Sequence, residues 1–369
     1  METNQYVKQF PELMKGKTVM YVHGFGSSGQ SGTVKRLREV LPSATVIAPD
    51  LPVQPEEAMA LLHRLCDDEQ PDLILGTSMG GMYTEQLYGF DRICMNPALC
   101  IADTMQQHGM TGTQTFQNPR QDGVQTFYVD KALVKAYRTV SEQRFFGLDA
   151  LSGAALDEEW RRVYGLFGDE DTTVDTYDLF HSRYPQAMHF HGEHRINDRS
   201  FMHSVVPVIR WVDDRQEQRQ RPIIYIGMET TIGITEEGKG AHPRPLPKGG
   251  EDIGGAASSV HARNAVQPLP SFQKAVRMLI EHYQVYFVAP ALSSDAGYCT
   301  DVTAWLTEYI GVPAWGHTIF TNRRDLLYGD YLISRTKEGD TMATLLHYGS
   351  DTFKTWDDII EYFSRLGGQ

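Results

Sequence analysis

Asp72-Leu-Ile-Leu-Gly-Thr-Ser-Met-Gly-Gly81 decides how this chain is read. Residues 73–76 are apolar and bounded by Pro71 and by glycines, which describes a short buried strand. Residues 79–88 then carry a helical pattern, and Ser78 sits on the turn between the two. Gly76 and Gly80 flank it two residues away on either side. A serine on so tight a turn has a strained backbone, and a Cβ at either flank would strike the neighbouring strand or helix. The hydroxyl is then held clear of the sheet at a helix N-terminus, whose dipole favours developing negative charge. Such a Gly-x-Ser-x-Gly turn is a nucleophile elbow. A glycine-rich turn that merely starts a helix has the same spelling, so corroboration has to come from elsewhere in the chain.

Size and charge narrow the classes. With 369 residues the chain is long for one domain, and two are expected. A formal net charge of −13 disfavours nucleic acid or an anionic membrane as partner. The four cysteines, Cys66, Cys94, Cys100 and Cys299, form no Cys-x-x-Cys pair and no His/Cys cluster. That usage suits reduced thiols and neither a zinc site nor a disulfide framework. The polar start Met-Glu-Thr-Asn-Gln is unlike a signal peptide, and no apolar run approaches the roughly 18 residues of a membrane span. The expectation is a soluble, cytoplasmic protein with no metal and no cofactor.

Strands and helices alternate through the first half. Strands are expected at 18–23, 45–48, 73–76, 91–95, 163–167 and 187–190, and helices at 33–41, 56–68, 79–88 and 200–212. Alternation at this spacing implies right-handed crossovers and a mainly parallel sheet, with the site at the carboxyl ends of the strands.

Acyl transfer needs two backbone N–H groups aimed at an oxyanion. One belongs to the residue after the nucleophile, here Met79, and the other to a glycine-containing loop after an earlier strand. His23-Gly-Phe-Gly-Ser-Ser28 is that loop, with Phe25 or Gly26 as second donor and His23 in a structural role on the loop backbone. The serine also needs a base oriented by a carboxylate. Asp171, in Gly168-Asp-Glu-Asp-Thr-Thr-Val174, is the preferred acid, with Asp169 as its near rival. His194 lies in a polar loop just past the strand at 187–190 and is the preferred base. His191, at the strand's end, and His203, on a helix, read as packing residues. Between 96 and 158 lies an insertion with little strand character and several helical stretches, one at 130–142, in the position of a lid. Its many Gln, Thr and Asn residues suggest a pocket not built for long apolar chains.

Residues 17–212 resemble the YqiA-like branch of small bacterial α/β-hydrolases. The likeness rests on Val-His-Gly-Phe-Gly-Ser-Ser, Gly-Thr-Ser-Met-Gly-Gly, Met-Asn-Pro-Ala, Gly-Asp-Glu and Gly-Glu-His-Arg. The resemblance implies a compact esterase of short acyl esters and acyl-thioesters, with Ser78, Asp171 and His194 as its triad. The insertion at 97–158 is longer than in the smallest members, which leaves the substrate open.

A polar, charged stretch at 213–220 followed by Arg221-Pro222 marks a boundary, giving domains 1–217 and 221–369. Beyond it, strands are expected at 223–226, 285–288, 331–333 and 345–347, and helices at 271–282, 299–310 and 356–366. The Gly- and Pro-rich stretch 235–270 reads as a long mobile loop. The fragment 272–363 resembles the haloacid-dehalogenase superfamily, and within it the cytosolic 5′(3′)-deoxyribonucleotidases, through Val-Tyr-Phe-Val, Thr-Asp-Val-Thr-Ala-Trp-Leu, Gly-Asp-Tyr-Leu-Ile and His-Tyr-Gly-Ser-Asp-Thr-Phe-Lys-Thr-Trp. The resemblance implies a Rossmann-like sheet, but the family's nucleophilic and acid/base aspartates fall on Gly227 and Glu229. Its phosphate-binding threonine falls on Ala289 and its lysine on Arg324; Ser334 and Arg335 replace metal-binding aspartates, while Asp330 survives. Without a carboxylate at 227 no aspartyl-phosphate can form, and too few oxygen ligands remain for Mg²⁺.

The expected fold is therefore α/β, an α/β-hydrolase domain with a mainly parallel sheet and small helical lid, followed by a haloacid-dehalogenase-type domain. The expected function is a serine hydrolase of carboxylic esters or thioesters with an inactive phosphatase-like second domain, which serves a protein partner or a second copy of the chain. The alternative is a non-catalytic binding or sensing protein whose second domain binds a nucleotide or protein.

Overall fold

Each short apolar run of the first half becomes a strand of one parallel sheet. The structure, a computed structural model, describes residues 7–232, 267–292, 297–336 and 341–367. The chain divides into two compact units, Met1–Gln218 and Arg219–Gln369.

In the first unit, β1 (Thr18–Val22), β2 (Thr45–Ile47), β3 (Leu73–Thr77), β4 (Arg92–Met95), β7 (Val163–Gly168) and β8 (Ala187–Phe190) form a six-stranded sheet in the order β2-β1-β3-β4-β7-β8. Every pairing is parallel. The chain first winds outward from β1 to β2, then returns to the other side of β1 as β3. Such a reversal opens a crevice at the carboxyl ends of the two strands. The loops after β1, β3, β7 and β8 all open on that rim.

Helices α1 (Gly32–Val40) and α2 (Pro55–Glu69) bury stripes at helical spacing, Val34, Leu37 and Val40 on one and Ala58, Leu62 and Cys66 on the other. The elbow helix α3 (Met79–Glu85) is buried on every side. Two glycines allow it. A Cβ on Gly80 would lie 2.1 Å from the Val22 carbonyl oxygen, and one on Gly81 would lie 2.9 Å from Pro97 Cα.

Between β4 and β7 come α4 (Ile101–Gln107), the antiparallel pair β5 (Gly112–Thr115) and β6 (Thr126–Val129), then α5 (Lys131–Ser141), α6 (Phe146–Asp149) and α7 (Gly153–Arg162). The hairpin corrects the expectation of little strand character here. Its strands are polar or half-exposed, so no apolar run announces them; what they carry is β-branched and aromatic residues. Asp130 caps α5 by accepting from the Leu133 amide at 2.8 Å. Between β7 and β8 lies α8 (Tyr177–His181), and after β8, α9 (Asp198–Ser200) passes through a π turn, Phe201–Val205, into α10 (Val206–Gln216). The helix thus includes 213–216, which the charged composition marks as linker. Asp213 is buried there and accepts from Lys17 Nζ at 2.7 Å.

A buried charged network ties the elbow helix to the insertion. Arg92, fully buried at the start of β4, donates to the Glu85 carbonyl and to the Glu159 carboxylate. The Glu85 carboxylate accepts from Tyr184 Oη at 2.7 Å and the Phe145 amide at 3.2 Å. Burial pushes the Glu85 carboxyl up against the counteracting pull of Arg92.

The second unit holds β9 (Ile223–Gly227), β10 (Gln284–Ala289), β11 (Thr318–Phe320), β12 (Tyr331–Ser334) and β13 (Thr344–His347), all parallel in the order β11-β10-β9-β12-β13. Helices α11 (Phe272–Leu279), α12 (Tyr298–Tyr309) and α13 (Trp356–Leu366) accompany them, with Phe272, Phe287, Trp305 and Trp356 in the core. Strand β11 is absent from the sequence reading, being three half-buried residues. Most of the loop expected at 235–270, residues 235–266, lies outside the described residues. Among the described residues no helix is long and apolar enough to cross a membrane. All four cysteines are free, Cys66 and Cys94 buried and Cys299 exposed.

Removing one partner of a buried ion pair strands the other. Arg92→Ala is expected to destabilise the first unit by about 3–5 kcal/mol, read as a lowered urea midpoint of the full chain, whereas an unchanged midpoint contradicts this role for the network.

Candidate active site

Ser78 occupies a conformation that L-residues rarely adopt, φ 55° and ψ −118°. Such strain costs about 1–3 kcal/mol and persists only where the surroundings over-determine it. Here the Ser78 amide donates to the Met95 carbonyl at 2.9 Å, and the Ser78 carbonyl accepts from the amides of Met82 (3.1 Å) and Ala98 (2.9 Å). A Cβ on Gly76 would lie 2.3 Å from the Gly80 carbonyl oxygen, so the strand backbone touches the helix backbone there with no room for a side chain.

The loops after β7 and β8 bring Asp171 and His194 to this serine. His194 Nε2 lies 3.0 Å from Ser78 Oγ, and His194 Nδ1 lies 2.7 Å from Asp171 Oδ2. An ionised carboxylate only accepts, so Nδ1 carries the hydrogen and Nε2 is left to accept from the serine. Asp171 Oδ1 takes the amides of Thr173 (2.7 Å) and Val174 (3.0 Å). Burial disfavours the Asp171 carboxylate, but its bond to His194 and the two amides outweigh this and hold the carboxyl below its ordinary value. The Asp171 side chain is 3 % exposed and that of His194 20 %, so the pair runs from the interior to the rim.

Asp169, the rival acid, instead accepts from the Gly192 amide at 3.2 Å and lies 3.4 Å from exposed His191. His203 sits in the π turn. Asn96 is a positioning residue that the sequence reading passes over. Its Oδ1 accepts from the Gly168 amide at 2.7 Å, and its Nδ2 donates to the carbonyls of Glu193 (3.2 Å) and His194 (3.0 Å). One side chain at the end of β4 thereby fastens both loops that carry Asp171 and His194. The available signal was Asn-Pro directly after a strand, which also spells an ordinary turn.

The loop after β1 lies beside the serine, for a Cβ on Gly24 would sit 3.3 Å from Ser78 Cβ. Buried His23 donates from Nδ1 to the Gly24 carbonyl at 2.8 Å and accepts at Nε2 from the Leu51 amide at 3.0 Å. Burial pushes its pKa down to about 4, so the ring stays neutral near pH 7. The Ser27 amide bonds the same Gly24 carbonyl at 3.2 Å. That carbonyl shares a peptide plane with the Phe25 N–H, so two bonds on the oxygen fix the direction of the N–H opposite. Met79 is the first residue of α3, where amides lack intrahelical acceptors. A cleft of about 1280 Å³ opens here, lined among others by Ser78, His194, Phe25, Gly26, Ile101, Phe127, Gln117 and Arg195.

In the second unit the carboxyl ends of β9 and β12 carry a closed ionic cluster. Arg324 donates from both terminal nitrogens to the Glu229 carboxylate at 3.0 and 2.9 Å, and Ser334 Oγ donates to it at 2.8 Å. Burial disfavours the charge on Glu229, and Arg324 more than compensates, holding the carboxyl below its ordinary value. The carboxylate folds over Gly227, where a Cβ would lie 2.3 Å from Glu229 Oε1. Arg335 Nε donates to the Glu229 carbonyl at 2.6 Å. Asp330, which the motif comparison retains, stands just before β12 at the opposite rim, accepting from the Ile223 amide at 2.8 Å. Ala289 ends β10 and is buried. Among the described residues no three His, Cys, Asp or Glu side chains cluster as metal ligands.

Comparison with known proteins gives partial likenesses. Residues 18–146, about a third of the chain, match the Uncharacterised protein family UPF0227. That span includes Ser78 and the loop after β1 and ends before Asp171 and His194. A putative 5′(3′)-deoxyribonucleotidase of Vibrio phage KVP40 is 25 % identical over 153 residues, 41 % of this chain and 89 % of that protein. A protein of the same description from Staphylococcus aureus strain Mu50 is 31 % identical over 106 residues, 26 % of this chain and 58 % of its own length. Among solved structures, Est1E from Butyrivibrio proteoclasticus aligns with 57 % of this chain and 91 % of its own at 14 % identity and a TM-score of 0.35. At that level of likeness no chemistry follows from it.

The Asp171 carboxyl, lowered in the folded state, contributes stability that is complete above its unfolded value of about 3.9 and is lost as pH falls through the folded value. The stability gap between wild type and Asp171→Asn is therefore expected to be level from about pH 5 to 7 and to close on further acidification. Urea unfolding across that range measures it, and a gap that widens in acid contradicts the assignment.

Proposed function

We propose that the first unit is a serine hydrolase of carboxylic esters or thioesters. The observation that carries the reading is the continuous hydrogen-bonded line Ser78 Oγ, His194 Nε2, His194 Nδ1, Asp171 Oδ2, at 3.0 and 2.7 Å. In the acylation step Ser78 Oγ attacks the carbonyl carbon while His194 Nε2 takes its proton. The oxyanion falls between the Met79 N–H and the N–H of Phe25 or Gly26, a pair of donors that costs no reorganisation at the moment of reaction. Collapse breaks the bond to the alkoxide or thiolate, which leaves with the proton from His194. Water then attacks the acyl-serine with His194 as base, releasing the acid and restoring the hydroxyl. Asp171 keeps the imidazole in the tautomer these transfers need. The polar side chains in the cleft, such as Gln117 and Arg195, favour short or polar acyl groups over long apolar ones.

For the second unit we propose a haloacid-dehalogenase-like scaffold without phosphatase chemistry, which binds a protein partner or another copy of the chain. Two features support this: Gly227 offers no carboxylate, and Glu229 is clamped by Arg324 and Ser334 over the space a side chain at 227 would need. The alternative, two non-catalytic binding modules with a nucleotide on the second, draws its support from the loss at 227 and from the likeness to putative deoxyribonucleotidases.

A fluorophosphonate probe is expected to label the wild-type chain and to leave Ser78→Ala unlabelled. Asp171→Asn should lower kcat on p-nitrophenyl esters by about 10³–10⁴. Absence of labelling, together with a nucleotide-induced rise in Tm, favours the alternative. The full chain with Mg²⁺ and a deoxynucleoside monophosphate should release no phosphate at the second unit, and release that survives Ser78→Ala sinks the proposal for that unit.

A further inference from the structure

We propose that the hairpin β5–β6 is a fixed brace for the oxyanion loop rather than a lid that opens, and that Phe127 is the positioning residue through which it acts. The inference rests on the hydrolase reading above.

Within the loop after β1, His23 and Ser27 hold the Gly24–Phe25 peptide from its carbonyl side. The contacts on the Phe25 ring come from the insertion. The Phe25 ring is met edge-on by Phe127, at 5.3 Å between centroids, and by Tyr137 at 5.9 Å. Phe127 is backed by Phe116 at 4.5 Å, and Tyr137 is itself buried with its hydroxyl on the Val53 carbonyl at 3.0 Å. Three hydrogen bonds reinforce the contact. The Gln117 amide donates to the Gly26 carbonyl at 2.7 Å, Asn118 Nδ2 to Ser27 Oγ at 3.1 Å, and Ser28 Oγ to the Pro119 carbonyl at 2.6 Å.

These contacts bear on the chemistry through one atom. The Phe25 ring and the Phe25 N–H are both carried by Phe25 Cα, so pinning the ring limits the displacement of that Cα and of the nitrogen bonded to it. His23 and Ser27 hold the same peptide from its carbonyl side. A donor misplaced by about 1 Å forfeits on the order of 10²-fold in rate. A lid that lifted away would have to release all of these contacts and would leave the donor unset.

Phe127 also lines the cleft, so a mere substrate wall is the competing role. The two separate in kinetics. With a p-nitrophenyl ester and the full chain, Phe127→Ala is expected to lower kcat by about 10–100-fold with KM changed less than about threefold, the pattern of an interaction made in the transition state. Phe127→Leu, which refills the contact, should recover most of kcat. Affinity for a boronic acid, which places an oxygen anion in the same hole, should fall by the same factor as kcat/KM. An unchanged kcat, or a raised KM with kcat intact, overturns the brace. Should the alanine variant fail to fold by circular dichroism, Asn118→Ala, which removes the bond to Ser27 Oγ, reads the same split. A wild-type chain that neither turns over ester nor takes fluorophosphonate at Ser78 removes the hydrolase reading and the brace together; an active wild type with unaltered Phe127→Ala or Asn118→Ala removes the brace alone.

Discussion

Backbone meets backbone where α3 presses on β1 and β3, with no side chain between them at Gly80 and Gly76. That contact is the constraint behind the first unit's site. It lets the chain reverse from strand to helix across a single residue, and the residue at the reversal has nowhere to point but out of the sheet. The same approach buries α3 on all sides and leaves Glu85, at its far end, with a carboxylate that must be satisfied inside. Tyr184 and the Phe145 amide donate to that carboxylate, and Arg92, bonded to the Glu85 carbonyl and the Glu159 carboxylate, offsets its charge. One requirement of packing thus generates both the strained, half-buried Ser78 at one end of the helix and the buried ionic network at the other.

From this fixed point the site is assembled by loops of short reach. Asp171 lies three residues past the end of β7 and His194 four past β8, close enough that strand position decides where they fall. Asn96 then removes the remaining freedom by holding both loops from the end of β4. The charge gradient runs the same way, from an enclosed carboxylate to an imidazole at the rim. A buried acid with several donors stays ionised, and its imidazole partner keeps the tautomer that leaves Nε2 open to the serine.

Much of this was legible because it is local. Apolar runs between turn residues mark β1, β3, β4, β7 and β8 to within a residue or two, and the order serine, acid, histidine follows from which loops those strands precede. The sequence left Asp169 and Asp171 as alternatives, and only coordinates show that the carboxylate within reach of His194 is the second. The hairpin escaped notice because its strands bury little and alternate weakly, so that their pairing is expressed in contacts with the loop after β1 rather than in their own pattern. Arg92 and Asn96 escaped for a related reason. Each is explained by partners tens of residues away, such as Glu159 and Gly168, which no window of sequence contains. In the second unit the loss of a carboxylate at 227 was plain from motif comparison, whereas the occupation of its space by Glu229 was not.

One carboxylate, one imidazole and one hydroxyl form a single hydrogen-bonded line in this site. Proton NMR of the His194 Nδ1–H probes that line in solution. A strongly low-field resonance is predicted in the wild type and in Asp169→Asn, and it should vanish in Asp171→Asn. A resonance that is missing from the wild type, or that disappears with Asp169 and survives the change at Asp171, would contradict the account.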